Sequence, residues 1–303
     1  MTILLACLAQ LLHVALLVLA APILAGVLAW AGGGFAGTPA AIIRRQRDDL
    51  VRLWRKRPAP TEPSAALLRA EPAISAAITL VVALLVPSFA FGMLLAPLGD
   101  LLMLTGLLTL TRLLGVLAEL ESGTARGGLV AARHTRLGTL ALTAMMPAIL
   151  ALALTAGGLT LDQIGAARFD EVLIPGATRG LAAVALAAIA TADLSTPGLD
   201  DSRTGPDLAL GRLTEALRLL IWFNLILALF LPIGLITPDS SPGAWLLAIL
   251  SWIGRLVALT VLVVLPRALI GSVAERWLSG SLMLAIGLAM LAAILALTHA
   301  SPV

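Results

Sequence analysis

Runs of about 20 apolar residues recur from one end of this chain to the other, and no other feature restricts its fold as strongly. A helix needs about 20 such residues to cross the hydrocarbon of a bilayer. A chain of 303 residues has room for about eight crossings and their connections. The expected spans are 2–30, 73–95, 100–120, 137–159, 180–192, 216–236, 244–265 and 277–297. Composition agrees: 60% of residues are hydrophobic, 12% are charged, and the mean hydropathy is +1.03. The fold expected is all-α and integral to the membrane, a single polytopic domain over 1–303 with about eight transmembrane helices. The first run has no basic segment ahead of it, so it reads as an uncleaved span. No heptad, internal repeat or low-complexity tract is evident, and the alanine and leucine bias is ordinary for membrane spans.

Ionisable residues inside such runs are the exceptions to explain, since each costs roughly 2.5–3.5 kcal/mol at the bilayer centre. Asp100, Arg112 and Glu119 lie in the third span, Asp193 ends the fifth, and Arg255 sits midway along the seventh. Asp100 stands where a helix starts, and capping alone would account for it. Arg112 and Glu119 are seven residues apart, on one helix face about 10 Å along the axis. Pairing between them and snorkelling of Glu119 to the interface are both open. Arg255 needs water or a partner and is expected to face the bundle interior, beside Asp193 or a cluster of backbone carbonyls. Together with His13 these residues make up a candidate charge network too sparse to carry protons from face to face. The guanidinium of Arg112 or Arg255 does not release its proton.

The connections carry the remaining charge, and they carry it unevenly. Those after spans one, three, five and seven hold sixteen Lys and Arg residues against two, Arg168 and Arg179, in the others. That asymmetry places the first set in the cytoplasm and both termini on the periplasmic side of a bacterial inner membrane. It also explains the net charge of +3 without any nucleic-acid partner. Within residues 31–70, Ile42, Ile43, Leu50, Val51, Leu53 and Trp54 fall on one arc of a helix, opposite Arg44, Arg45, Asp48, Asp49, Arg52, Arg55 and Lys56. This is an amphipathic cytoplasmic helix between the first two spans, suited to the membrane interface. Arg47 departs from the pattern by falling inside the apolar arc. Pro58, Pro60 and Pro63 follow as a stiff connector. Cys7 is the single cysteine, and His13, His134 and His299 have no ligand spacing, so one copy of the chain cannot build an iron–sulfur or zinc centre.

Three stretches resemble the membrane subunit shared by respiratory complex I (its subunit 1) and by group 4 membrane-bound hydrogenases and formate hydrogenlyase (its subunit 4). They are Arg47 to Lys56, RDDLVRLWRK; Pro97 to Leu102, PLGDLL, with Arg112; and Leu120 to Arg133, LESGTARGGLVAAR. The first is similar to the family's Tyr-Arg-Asp and Lys-Leu pattern, the last to its Leu-Asp-Thr-Gly-Ser and Gly-Ala-Ser-Arg. The resemblance implies a membrane anchor that couples a soluble electron-transfer arm to antiporter-like membrane subunits. Iron–sulfur and nickel–iron centres would then belong to partner subunits, and this chain would hold no cofactor. Segments 31–70 and 121–136, with Arg47, Asp49, Arg52, Arg126 and Arg133, would dock the hydrophilic partners. The sequence departs from the family where His134, Leu142, Asp193 and Arg267 stand near positions at which the family carries glutamates. Weakened or lost proton translocation is the implied consequence. A stand-alone transporter with Asn224, Arg255 and Asp193 lining a substrate site is the alternative from another class.

The orientation has a direct check. In a Cys7→Ser chain, a cysteine introduced at Arg126 should react with a membrane-impermeant thiol reagent from the cytoplasmic side of inverted vesicles and resist it in intact cells. Labelling from the periplasm would reverse the topology.

Overall fold

The computed structural model describes residues 2–32, 38–56, 66–166, 175–194, 203–270 and 275–300. Ten α-helices are found among them: α1 (Thr2–Gly32), α2 (Pro39–Arg55), α3 (Ala66–Leu85), α4 (Leu101–Glu121), α5 (Ala125–Ala156), α6 (Leu161–Ala166), α7 (Pro175–Leu194), α8 (Gly205–Phe230), α9 (Pro242–Ile270) and α10 (Glu275–Ala300). Seven of them, α1, α3, α4, α5, α8, α9 and α10, are long and apolar enough to cross a membrane. The apolar part of α7, Gly176–Thr191, is shorter. The all-α integral membrane fold is thus observed, with α7 in the place of the expected fifth span.

Helix ends follow local chemistry. Thr38 caps α2, its side chain accepting from Ala41 N, and Pro39 occupies the first helical position. Asp100 caps α4, accepting from Leu102 N at 2.7 Å and Met103 N at 3.3 Å. Thr124 caps α5 through Gly127 N at 2.9 Å. A Cβ on Gly127 would fall 2.4 Å from Ser122 Oγ, so glycine lets this turn close. The segment 121–136, expected as a loop, is therefore a turn of three residues followed by helix from Ala125.

The second span also differs from expectation. It was expected over 73–95 with Pro87 inside; α3 instead begins at Ala66 and stops at Leu85. Proline disfavours helical geometry in the residue before it and has no N–H for the carbonyl four residues back. That carbonyl is Ala83 O, and His13 Nε2 reaches it at 2.8 Å. Leu84 O, next in the ladder, accepts from Gln10 Nε2 at 2.8 Å. A carbonyl only accepts, so His13 carries its proton on Nε2, and Nδ1 accepts from Ser88 Oγ at 2.6 Å. Two polar residues of α1 thus take over the carbonyls that α3 leaves open. Beyond the break, Phe91 N donates to Ile236 O at 2.9 Å and Ile236 N to Phe89 O at 3.3 Å. A second bridge joins Asp100 to Thr160, with Leu101 N on Leu159 O and Leu161 N on Gly99 O, both 2.9 Å. Gly92, at φ +65°, donates to Asp162 Oδ2 at 3.1 Å. Burial raises the Asp162 carboxyl above its usual range, and the hydrogen bond from Gly92 opposes the shift.

The most enclosed span is α8, with 72% of its apolar window buried against 17% for α9, so α8 runs through the middle and α9 along the edge. Asn224 of α8 is buried and accepts from Trp252 Nε1 of α9 at 2.8 Å. Ala293 is buried on α10 too, beside a series made of Leu278, Leu282, Ala285, Ala289, Ala292 and Ala296. Their alternating steps of four and three form a heptad seam that the uniformly apolar sequence hides. This seam packs on α5 and α7, where the small side chains of Ala151, Ala182 and Ala185 permit close approach.

Removing the His13 ring should expose what it satisfies. His13→Leu is expected to cost about 1–3 kcal/mol, read as a lower thermal unfolding midpoint of the purified protein in detergent, with His13→Gln recovering part of the loss.

Candidate functional site

Three charged sites among the described residues are each housed differently. The first is Arg255. Its Nη1 donates to Leu231 O at 2.7 Å, and Nη2 and Nε approach Ser88 O and Ser251 O, each at 3.4 Å. Leu231 ends α8 and Ser88 lies in the unwound stretch after α3, so both carbonyls are free of helical partners. The guanidinium therefore faces backbone oxygens supplied by two broken helix ends. Asp193, the other partner considered, lies in α7, and its side chain is outside the described residues.

The second place is Arg112, whose stem lies across α5 where Gly138 presents no side chain; a Cβ there would meet Arg112 Cδ at 2.9 Å. The same arginine lines a cavity of about 20 Å³ with Thr109, Gly138, Leu142, Ile189 and Trp222. That volume accommodates a single water molecule. Glu119, two turns further along α4, is buried at 6% exposure and so lies inside the bundle, not out at its surface.

The third place is one the sequence reading did not anticipate. Glu71 on α3 and Arg203, just ahead of α8, form a salt bridge with both side chains at most 6% exposed. The other Glu71 oxygen, Oε1, accepts from Ser75 Oγ at 2.6 Å, one helical turn on. Gly211 makes room for the arginine, since a Cβ there would fall 2.8 Å from Arg203 Nη1. Burial lowers the Arg203 pKa to about 10, against the pull of Glu215 and Asp207, and the group stays charged at neutral pH. One turn before Glu71, Leu68 N donates to Glu121 Oε2 at 2.6 Å, joining the start of α3 to the end of α4. The available signal was Glu71-Pro72 at the edge of an apolar run. A span placed to exclude charge begins after it, whereas the helix begins five residues before it.

The expected docking residues lie at this same end of the bundle. On α2, Arg47 pairs with Asp48 and Arg52 with Asp49, each at 3.0 Å and each largely solvent-exposed. Such pairs contribute little stability and leave a charged surface available. Arg126 is exposed in the first turn of α5 and Arg133 is half-buried two turns later. Of the residues that depart from the family pattern, His134 and Leu142 lie on α5, and the side chains of Asp193 and Arg267 are outside the described residues. Asn224, considered for a substrate site, commits its carbonyl oxygen to Trp252.

No protein-family model matches the chain, and no curated protein matches it. Among solved structures it is similar to a chain of the membrane-bound sulfane sulfur reductase (MBS), an archaeal respiratory membrane complex. The similarity has a TM-score of 0.77 at 16% identity and covers 98% of this chain and 99% of that one. The fold is shared from end to end.

The buried ion pair makes a two-step prediction. Glu71→Leu alone should destabilise by about 3–5 kcal/mol, because it strands Arg203 in an apolar site. The double variant Glu71→Leu/Arg203→Met should recover most of that loss in the thermal unfolding midpoint. Equal destabilisation by single and double variants would deny the pair its isolation from water.

Proposed function

We propose that this chain is the membrane-anchor subunit of a complex I-like oxidoreductase complex of the group 4 hydrogenase or formate hydrogenlyase type. The observation that carries the reading is the end-to-end correspondence of its fold with a chain of a respiratory membrane complex. The three sequence stretches that resemble the complex I and hydrogenase membrane subunit point the same way. In this reading the electron chemistry belongs to partners. A hydrophilic iron–sulfur subunit and a hydrogenase-like large subunit hold the iron–sulfur and nickel–iron centres, and antiporter-like subunits lie alongside in the membrane.

The end of the bundle that carries α2, the Ser122–Thr124 turn and the first turns of α5 is the cytoplasmic docking face. Three features support this: the excess of cations there, the water-facing flank of α2 with Arg45, Asp49 and Arg52, and Arg126 at the mouth of the turn. Below that face, Glu71 with Arg203 and Leu68 with Glu121 tie α3, α4 and the start of α8 together. A partner seated on this surface would bear on one joined unit.

Proton translocation through the chain is weakened or lost. Asp100 is occupied in capping α4 and His13 in capping α3, which removes two titratable groups from any relay. Glu71 is committed to its salt bridge with Arg203. Arg112 and Arg255 fix positive charge in the interior without exchanging protons.

Two measurements test this reading. Affinity purification of the tagged chain should bring down an iron–sulfur protein and a hydrogenase-like large subunit; a monodisperse single-chain protein would favour the transporter. In vesicles carrying the complex and a pH-sensitive dye, Asp193→Asn should leave both electron transfer and dye response unchanged. Uncoupler-sensitive pumping abolished by Asp193→Asn, with electron transfer intact, would show that this chain conducts protons.

A further inference from the structure

We infer that one flank of α2 is a binding site for anionic phospholipid, with Arg44 and Arg55 holding the headgroup phosphate and Val51 and Trp54 entering the acyl boundary. The starting point is an incomplete burial. The inward side of α2, formed by Ile42, Ile43, Gln46, Leu50 and Leu53, is turned toward α1 and α8, with Leu53 buried outright. Val51 and Trp54 belong to the same apolar arc yet remain 47% and 58% exposed. At about 100° per residue, Trp54, Arg47, Val51, Arg44 and Arg55 follow one another around an arc of about 100° beside the inward face. Asp48, Arg52, Arg45 and Lys56 continue around the far side. The helix thus has a protein-facing side, a mixed apolar and cationic flank, and a fully polar side. A helix lying in the plane of a bilayer, with one edge against a bundle, is built this way.

Depth agrees with this assignment. Ile43 sits level with Gly26 of α1, where a Cβ would fall 2.7 Å from Ile43 Cγ1. Gly26 is six residues, about 9 Å, from the end of α1. At 31 residues α1 is about 46 Å long, more than the roughly 30 Å hydrocarbon core, so its last turns stand at headgroup level. An interfacial helix buries its apolar side about 5–10 Å into that boundary.

Charge decides the lipid. Among the described residues, Arg44 and Arg55 have no carboxylate within ion-pair distance, so their charge faces outward uncompensated. Arg47, which breaks the amphipathic pattern in the sequence, lies between Trp54 and Val51, where a headgroup needs a cation beside an apolar contact. Its exposed pair with Asp48 is weak enough to yield to a phosphate. A soluble acidic protein would be served by the cations but not by a tryptophan and a valine set among them. The aromatic ring at headgroup level suits lipid.

The test uses the purified full chain in nanodiscs of phosphatidylcholine with phosphatidylglycerol as a minority component. In a Cys7→Ser background, spin labels are placed at Val51 and at Arg45. The label at Val51 should be reached by oxygen and shielded from aqueous nickel chelate, while the one at Arg45 should be open to the chelate. By native mass spectrometry, Arg44→Gln/Arg55→Gln should lower the preference for phosphatidylglycerol over phosphatidylcholine by about fivefold for each cation removed. Arg45→Gln/Lys56→Gln, on the polar side, should leave it unchanged. Equal losses from the two double variants would reduce the effect to bulk charge and overturn the site. So would a Val51 label as open to the chelate as the Arg45 label. Shielding of Val51 only when soluble subunits co-purify would assign the flank to a protein and overturn the lipid.

Discussion

A backbone N–H or C=O inside a bilayer must find a partner within the protein, because lipid supplies none and each orphan costs several kcal/mol. In this chain that requirement comes to a point at Pro87. The proline stops α3 short of the far side of the bundle and leaves carbonyls open at Ala83, Leu84 and Ser88. The polar side chains nearest in space take them: His13 and Gln10 from α1, and Arg255 from α9. The stretch beyond the break pairs with Ile236 instead of continuing as helix. Three residues that look out of place in apolar segments thus share one physical cause. Because their partners come from α3 and α8, the break also locks α1 and α9 to the centre of the bundle.

What the sequence disclosed follows from how directly each feature enters the free energy. The class is legible because a solvent preference summed over 303 residues leaves little choice. Asp100 was legible as a cap because capping depends on immediate neighbours alone. The need of Arg255 for a partner was legible from the cost of its charge, but carbonyl partners carry no mark in sequence. Pro87 was placed inside a span because the residues after it, Phe89 to Leu95, are as apolar as those before. The same uniformity concealed the α10 seam: alanine and leucine lie on every side, and burial alone separates Leu282 and Ala289 from their neighbours. Glu71 was passed over because excluding charge from a span assumes that the charge faces water. Here it faces Arg203, from a segment 132 residues away, and no local pattern announces that meeting.

The arginines inside the bundle show how a permanent cation can be housed among apolar helices. Arg112 lies across Gly138, Arg203 across Gly211, and Arg255 against the ends of two helices. Glycine matters at the first two because the guanidinium stem occupies the volume of the missing side chain, bringing the neighbouring helix close. A cation so enclosed holds its proton and its position. Its contribution is a fixed positive field that opposes the entry of further positive charge.

The two ends of the bundle then differ in the kind of bond that closes them. At one end the closure is mainly backbone to backbone, Ala90 with Ile236 and Asp100 with Thr160, with Asp162 on Gly92 N as the titratable contact beside them. At the other end it is made by side chains: Glu71 with Arg203, and Glu121 on Leu68 N. Charged side-chain contacts of this kind depend on exclusion of water. The central helix α8 is anchored at both ends, through Arg203 ahead of its first turn and through Leu231 O on Arg255 at its last. Between these two anchors the 26 residues of α8 span about 39 Å. The far anchor lies where polar side chains of α1 and α9 meet the carbonyls left open beyond α3 and α8, so the helix broken by Pro87 is what fixes the end of the central one.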